Sequence, residues 1–374
     1  MTVLFIVAAA WLAFANGSND NFKGVATLWG SGMIGFGAAR SLAAAATLLG
    51  SLTTAWLGAA LVASFTGRGL VDAPTLQAPP FLTSVVIGAA TCVLIASRCG
   101  LPVSTTHSIV GALAGAALTS PSRLAIERLM GAFVLPLVWV PVVAILLTVV
   151  VRRGLSGARE RFGIRKDLCV CIGKEVVACI PRGGSAAEMG AALERVRLTV
   201  GPQAECRVRY SGRVLGITAE RIVALGHVAS AVAVSFARGV QDTAKMTGLV
   251  VGGAAAGLVP DFGIHAVASG VGLCVALGGT IGVRRVATTL SHRLTPIEMG
   301  EGFAANLVTS GLVIGASQAG MPVSTTHCAT GSIFGVGVQR HGLDRRIGSH
   351  VVAAWIFTLP MAGLAAAAAY AFLT

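Results

Sequence analysis

One heptapeptide occurs twice in this chain, and its repetition constrains the fold more than any other feature. Residues 102–108 read Pro-Val-Ser-Thr-Thr-His-Ser, and residues 322–328 read Pro-Val-Ser-Thr-Thr-His-Cys. A second pair of segments, Asn-Asp-Asn-Phe-Lys at residues 19–23 and Gln-Asp-Thr-Ala-Lys at residues 241–245, repeats at nearly the same offset. Two motifs repeated in step indicate an internal duplication. The chain is therefore predicted to contain two related halves.

The composition places both halves in a membrane. Hydrophobic residues make up 55% of the chain and charged residues 11%, and the mean hydropathy is +0.80. That leaves too little polar surface to cover a soluble protein. Uncharged stretches of about 20 residues or more, long enough to cross the hydrocarbon core, occupy residues 41–66, 130–151, 264–283 and 349–373. We expect an all-α polytopic membrane protein.

Basic residues are concentrated in the middle of the chain. Of the 28 lysines and arginines, 14 lie between Arg152 and Arg221. Basic loops stay on the cytoplasmic side, so this segment is predicted to be cytoplasmic. Anionic lipid at the cytoplasmic face is the expected partner of this charge. Nucleic acid is not expected, because the chain has only two tyrosines to stack on bases.

These features predict three domains. Residues 1–151 form membrane repeat 1, residues 152–218 a small α/β cytoplasmic insertion, and residues 219–374 membrane repeat 2. Each repeat is expected to contain broken helices and to cross the membrane an odd number of times. The number is five, or three if each PVSTTH segment forms a re-entrant hairpin. An odd number inverts the second repeat relative to the first, an arrangement common in secondary transporters. Both termini are then outside, and the expected location is the cell membrane.

Within the insertion, β-rich runs separated by Gly173-Lys174 and Ser211-Gly212 predict two hairpins. Their strands are expected at residues 168–172 with 175–180, and 205–210 with 213–217. Helical spacing of Met189, Leu193 and Val196 predicts a helix over residues 186–198.

Four cysteines fall in the same segment: Cys169, Cys171, Cys179 and Cys206. Small buried thiols are the favoured interpretation. A soft-metal site or a redox pair is the alternative, although no CxxC spacing supports it.

The PVSTTH segments predict helix starts inside the membrane. Proline ends the preceding helix, and short hydroxyl side chains cap the next. Free backbone N–H groups, the helix dipole and several hydroxyls then suit a tetrahedral oxyanion. The alternative is that the hydroxyls only cap kinked helices. The candidate substrate-binding residues are Ser104, Thr105, Thr106, Ser324, Thr325 and Thr326, together with Asn19 and Gln241 from the other repeated segment.

Each repeat also carries an aspartate and a lysine in an apolar context. Asp20 and Lys23 match Asp242 and Lys245, and these residues include two of only four lysines in the chain. Charges inside a membrane are costly, so they indicate a functional site, with purely structural ion pairs as the alternative. The preceding glycines predict a helix break just before each aspartate. Arg238 has no charged counterpart and is a secondary candidate for substrate contact or charge balance.

The segment Gly-Ser-Asn-Asp at residues 17–20, with the duplicated Gly-x-Pro-Val-Ser-Thr-Thr-His, resembles the inorganic phosphate transporter (PiT) family. The resemblance covers both membrane halves and implies phosphate uptake by alternating access, coupled to sodium or protons, in a homodimer. It implies that the Ser-Thr-Thr segments hold phosphate and that Asp20 and Asp242 lie in coupling-ion sites. It also implies an asparagine three residues after each aspartate, where this chain has Lys23 and Lys245. We therefore expect proton coupling and sodium independence, with no cofactor or metal.

Two other functions compete with this one. A transporter of another tetrahedral oxyanion such as sulfate would need the same donors. Sulfate, however, has no proton to donate to a buried carboxylate. An intramembrane hydrolase would use Ser104 or Ser324 with His107 or His327, but no orienting acid accompanies them in sequence. The histidines are candidates for proton transfer or for holding the hairpin tips, and the structural role is favoured.

Overall fold

The computed structural model describes residues 1–121, 124–179 and 192–374. The described part is mainly helical, with one small sheet. The α-helices are α1 (Thr2–Asp20), α2 (Ala26–Gly30), α3 (Phe36–Leu52), α4 (Thr54–Leu57), α5 (Ala59–Ser64), α6 (Ala73–Gln77), α7 (Pro79–Cys99), α8 (Thr105–Thr119), α9 (Ile126–Leu129), α10 (Leu135–Arg161), α11 (Gln203–Arg209), α12 (Ala219–Ala255), α13 (Ile264–Ile281), α14 (Arg284–Thr288), α15 (Met299–Gln318), α16 (Thr325–Arg340) and α17 (Arg345–Leu373). The strands are β1 (Leu168–Cys179), β2 (Ala192–Pro202) and β3 (Ser211–Thr218), and short π-helical segments occupy Met130–Val134 and Thr289–Arg293.

The chain divides into two compact units. Met1–Arg152 and His227–Thr374 form the membrane unit, and Arg153–Gly226 form the insertion. In the described chain, six helices are long and apolar enough to cross a membrane, three before the insertion and three after it. The expectation of a helical membrane protein with several spans and a small sheet-containing segment is thus confirmed. The six spans are Thr2–Asp20, Pro79–Cys99, Ile126–Arg161, Ala219–Ala255, Ile264–Ile281 and Arg345–Leu373.

The predicted continuous span over residues 41–66 is wrong. The structure has α3, then the short helices α4 and α5. The hydroxyls of Thr53 and Thr54 donate to the carbonyl of Gly50, at 2.8 and 3.3 Å. Hydroxyls that bond helix carbonyls favour bends and helix ends. Apolar composition was therefore not enough to keep this segment in one helix.

The predicted helix breaks before the two aspartates are also wrong. Helix α1 runs through Asp20, and α12 runs without interruption past Asp242. The glycines that suggested the breaks are packing positions. A Cβ at Gly239 would lie 2.2 Å from the carbonyl oxygen of Thr47, and a Cβ at Gly17 would lie 2.0 Å from that of Val275. The first repeat does turn, but only after Asp20, over residues 21–25.

Backbone-to-backbone contacts hold the membrane helices together. Helix α1 packs on α13, and α8 packs on α17. A Cβ at Gly278 would lie 1.9 Å from the Phe14 carbonyl oxygen, and one at Gly111 would lie 2.2 Å from that of Leu359. Small residues allow this approach, and in a membrane such packing supplies much of the association energy between helices.

The insertion is an antiparallel sheet of order β2-β1-β3. Both predicted hairpins are wrong. Residues 168–179 form one strand instead of a hairpin, and a Cβ at Gly173 would lie 2.5 Å from the ring of Tyr210, so this glycine is a packing position and not a turn. Residues 203–209 form α11 instead of a strand.

The predicted helix over residues 186–198 is wrong for its described part, residues 192–198, which belong to β2. Residues 186–191 lie outside the described chain. Val196 and Leu198 alternate with Arg195 and Arg197, and this period of two outweighs the helical spacing.

The packing predicts different effects for two glycines of α13. Gly278→Ala should destabilise the protein by about 1–3 kcal/mol, because its methyl group would overlap the α1 backbone. Gly270→Ala is the matched control, since no atom of the described residues lies within 4 Å of a Cβ there. Thermal unfolding in detergent measures both. Equal losses of stability would contradict this account of the α1–α13 contact.

Candidate functional site

The two PVSTTH segments begin two matching helices. Ser104 is the N-cap of α8, and its Oγ accepts a hydrogen bond from the backbone N–H of His107 at 3.2 Å. Ser324 caps α16 in the same way, accepting from His327 N–H at 3.2 Å. The predicted helix starts are therefore confirmed. Both serines are helix caps, so capping accounts for at least part of their presence.

The two helix starts lie against each other. Thr326 Oγ1 donates to the carbonyl oxygen of Val103 at 2.8 Å, and Thr106 Oγ1 donates to that of Val323 at 3.5 Å. Each motif thus contacts the residue before the serine of the other. These threonines are 0–1% exposed. The structure brings the two hydroxyl clusters into one buried region, as the duplication predicted.

The two Asp–Lys pairs lie at the same place. Lys23 Nζ donates to Asp20 and to the Val103 carbonyl, at 3.1 Å for the latter. Lys245 Nζ donates to Asp242 at 3.1 Å and to the carbonyl of Val323 at 3.2 Å. All four charged side chains are 1–2% exposed. Each lysine therefore links its own aspartate to the motif of its own half.

The threonine that follows each capping serine faces the aspartate of its half. Thr105 Oγ1 lies 3.4 Å from Asp20 Oδ2, and Thr325 Oγ1 lies 3.4 Å from Asp242 Oδ1. The same four interactions thus occur in both halves. They are the serine cap of the helix, the threonine bond to a carbonyl of the other motif, the Asp–Lys ion pair, and the contact of a threonine with the aspartate. Both repeated segments contribute to one site.

Arg238 breaks this symmetry. Its guanidinium lies 3.4 Å from Asp242 Oδ2 and donates to Asn21 Oδ1 at 2.7 Å and to Thr47 Oγ1 at 2.6 Å. In the first half, Asn16 takes its place and donates to Asp20 at 3.3 Å. Among the described residues the site holds two aspartates against two lysines and one arginine. Its formal charge of plus one favours an anion.

Asn19 and Gln241 differ in their surroundings. Asn19 donates to Ser97 and to the Leu101 carbonyl, both at 3.0 Å, and accepts from the Val103 N–H at 3.0 Å. Its amide therefore holds the first motif in place. Gln241 is fully buried, yet neither of its amide atoms has a hydrogen-bond partner among the described residues.

The motif histidines lie together behind the hydroxyls. The rings of His107 and His327 are 4.6 Å apart, and His327 Nδ1 contacts the carbonyl oxygen of Leu137 at 3.1 Å. The serine oxygens bind the backbone amides of these histidines rather than their rings. The ring of Trp355 packs against that of His327 in a tilted arrangement, with centroids 4.2 Å apart, and its indole N–H donates to the Pro102 carbonyl at 3.1 Å.

Sequence reasoning missed three polar neighbours of the site: Asn16, Asn21 and Thr47. Asn16 stands at the position equivalent to Arg238, where the first half has no charge. Asn21 stands inside the repeated segment and was a detectable candidate. Thr47 lies in an alanine-rich helix, and nothing in the sequence connects it with Arg238, 191 residues away.

A buried, net-positive site lined by two helix starts in a polytopic membrane unit is typical of membrane transporters for anions. Comparison with known proteins agrees with this class. A sequence model of the phosphate transporter family matches residues 16–366. The chain belongs to the phosphate transporter family. It is thus a member of a transporter family and not of an enzyme family.

Some relatives match nearly the whole chain, and others match only part of it. A Pyrococcus furiosus protein named as a candidate phosphate permease is 28% identical over 399 residues, covering 98% of this chain and 94% of its own length. Sodium-dependent phosphate transporter 2 of Homo sapiens is 42% identical over 106 residues, which is 28% of this chain and 16% of the human protein. A solved structure titled "The sodium-dependent phosphate transporter" aligns with a TM-score of 0.75 and 21% identity, over 100% of this chain and 98% of that one. The last comparison shows a shared fold.

The asymmetry of the site predicts unequal effects of two lysine substitutions. Lys23→Met leaves Asp20 with only the neutral hydrogen-bond partners Asn16 and Thr105, and it should destabilise the protein by about 3–5 kcal/mol, the usual cost of breaking a buried pair. Lys245→Met should cost less, because Arg238 still faces Asp242. Thermal unfolding in detergent compares the two variants. Adding Asp20→Asn to Lys23→Met should restore most of the lost stability. Equal losses, or no rescue, would contradict this view of the charges.

Proposed function

We propose that the chain is a secondary transporter of inorganic phosphate that is coupled to protons and independent of sodium. One observation carries the proposal: the two PVSTTH helix starts contact each other beside two buried Asp–Lys pairs. Six hydroxyls, two positive helix ends and a net positive charge suit a tetrahedral anion in a site screened from water. The proposed ligands are Ser104, Thr105, Thr106, Ser324, Thr325 and Thr326.

Alternating access follows from the duplication. Three candidate spans precede the insertion and three follow it, and an odd number in each half inverts the second repeat relative to the first. The matched contacts of the two halves support a two-fold relation centred on the site. Helices α8 and α16 have only 15 and 16 residues, about 22–24 Å at 1.5 Å per residue. This is short for a full crossing, which supports re-entrant hairpins.

Phosphate suits this site better than sulfate. Monohydrogen phosphate can donate a hydrogen bond to Asp20 or Asp242, whereas sulfate at neutral pH offers only acceptors. The relatives named as phosphate transporters point the same way. Gln241, buried with an unpartnered amide, is a further proposed phosphate ligand.

The lysines are proposed to replace coupling sodium ions. Each ammonium group already occupies a position beside an aspartate, bound to that aspartate and to a motif carbonyl. These oxygens are hard ligands of the kind that alkali cations use. A tethered cation cannot dissociate on the far side, so it stores no gradient energy. The driving ion must then be another one, and we assign that role to protons.

The proposal also includes the location, the oligomeric state and the orientation of the protein. The transporter is assigned to the cell membrane as a homodimer, with both termini outside and the basic insertion in the cytoplasm. The insertion and its neighbouring arginines then face anionic lipid of the inner leaflet.

The capping role of the serines calls for paired substitutions. Ser104→Ala removes both the cap and the hydroxyl, whereas Ser104→Gly keeps most of the capping energy and removes only the hydroxyl. If the hydroxyl donates to phosphate, both variants should weaken phosphate affinity by about 10- to 150-fold, which corresponds to about 1.5–3 kcal/mol for a charged hydrogen bond. Phosphate uptake into proteoliposomes measures this, with Ser324 changed in parallel. Normal phosphate affinity in the glycine variants would show that the serines act only as helix caps.

The coupling ion is tested by exchanging the cations. Uptake of radiolabelled phosphate into proteoliposomes should persist when choline replaces sodium, and an imposed pH gradient, acid outside, should accelerate it. Lys23→Asn with Lys245→Asn is the informative variant, because it exposes both aspartates to an added cation and should make uptake respond to sodium. Strict sodium dependence of the unmutated protein would refute the proposed coupling. Counter-transport with sulfate tests the choice of substrate in the same vesicles.

A further inference from the structure

Three cysteine sulfurs of the insertion lie in one buried cluster. Cys169 and Cys171 project from the same face of β1, and Cys206 reaches them from α11. Their Sγ atoms all lie within 4.8 Å of one another, and the side chains are 1–3% exposed. In the structure Cys171 and Cys206 form a disulfide, while Cys169 is a free thiol. Phosphate transport uses none of these groups.

The neighbouring strand leaves space for the sulfurs. Gly216 of β3 pairs with Cys171, and a Cβ there would lie 2.7 Å from Cys169 Sγ and 3.3 Å from Cys171 Sγ. Any larger residue at this position would crowd two of the three sulfurs. The cluster therefore depends on a glycine in the adjacent strand as well as on the cysteines.

A disulfide does not account for the whole cluster. It uses two of the three sulfurs and leaves Cys169 beside them. The basic insertion is also proposed to lie in the cytoplasm, where thiols are kept reduced. In that compartment the cluster consists of three thiols in an apolar setting. Three converging thiols are a ligand set for a soft metal ion.

We infer that the reduced cluster binds one Cu(I) ion through Cys169, Cys171 and Cys206. Thiolates select Cu(I), zinc or iron–sulfur clusters, and structural zinc takes four ligands. Among the described residues, no histidine, aspartate or glutamate joins the three cysteines. The hydroxyl of the adjacent Tyr210 is already bound to Thr199 at 2.6 Å and to the Arg197 carbonyl at 3.0 Å. Within the part of the chain that the structure describes, the three sulfurs have no fourth ligand, and such a set suits Cu(I).

The spacing of the sulfurs fits such an ion. A metal about 2.3 Å from three sulfurs in a common plane holds them about 4 Å apart, within the 4.8 Å that encloses the three Sγ atoms. The disulfide must first be reduced. Two molecules of a small cytoplasmic thiol supply two electrons and two protons and become a disulfide, while Cys171 and Cys206 become thiols. Cu(I) then binds as thiol protons are released to water.

The experiment uses purified full-length protein in detergent, kept reduced by a phosphine. Cu(I) is titrated in competition with a chromophoric Cu(I) chelator, and X-ray absorption identifies the ligands. The expected result is one tightly bound Cu(I) per chain with three sulfur neighbours. Replacing Cu(I) by Zn(II) in the same titration should give weaker binding. Absence of Cu(I) binding, or tighter binding of Zn(II), would overturn the inference.

Cys169→Ser is the decisive variant, because it leaves Cys171 and Cys206 able to form their disulfide. Loss of the bound Cu(I) is expected, whereas full retention would show that only the disulfide pair matters and would refute the site. Gly216→Ala keeps all three thiols and should also weaken binding, by crowding them. Cys99→Ser is the matched control, since Cys99 is an exposed free thiol of the membrane unit. It should bind Cu(I) like the unmutated protein.

Discussion

The attraction between buried carboxylates and ammonium groups is the interaction on which the rest of the membrane unit depends. Two unit charges about 3 Å apart interact by about 5 kcal/mol at an effective dielectric constant of about 20, enough to offset much of the cost of burying each charge. The offset requires that the remaining bonds of each lysine be satisfied. The carbonyl oxygens of Val103 and Val323 do this, and they are available only because a new helix starts just beyond each of them. Each ion pair therefore depends on the helix start beside it, and this arrangement occurs once in each half.

The duplication is close to symmetric in its hydrogen bonds and asymmetric in its charges. Asn16 and Arg238 occupy equivalent positions, and the arginine recruits Asn21 and Thr47 from the first half. Arg238 thus ties the two halves together around Asp242, and Lys23 ties them together around Asp20 through its 2.6 Å bond to Thr326 Oγ1.

Local chemistry was readable from the sequence, and tertiary contacts were not. Proline followed by Ser-Thr-Thr predicted both helix starts, because proline and a capping serine act on their own neighbours. Repetition predicted that the two segments would meet. The glycines before Asp20 and Asp242 predicted helix breaks that do not occur, since Gly17 and Gly239 instead allow close helix packing against Val275 and Thr47. In the insertion, strand alternation around Val196 outweighed helical spacing. The roles of Thr47 and Trp355 depend on distant partners, for which a single sequence carries no signal.

Trp355 connects the two motifs, since its ring packs against His327 of one motif and its indole N–H donates to the carbonyl of Pro102 in the other. It is 9% exposed, whereas Trp11, Trp56 and Trp139 are more than half exposed. Indole emission depends on the polarity and hydrogen bonding around the ring. Any rearrangement that separates the motifs must change both for Trp355. Of the other four tryptophans, these three lie on the outer surface, and Trp29 packs against Phe22 and Phe36. The fluorescence of Trp355 therefore depends on whether the two motifs are in contact.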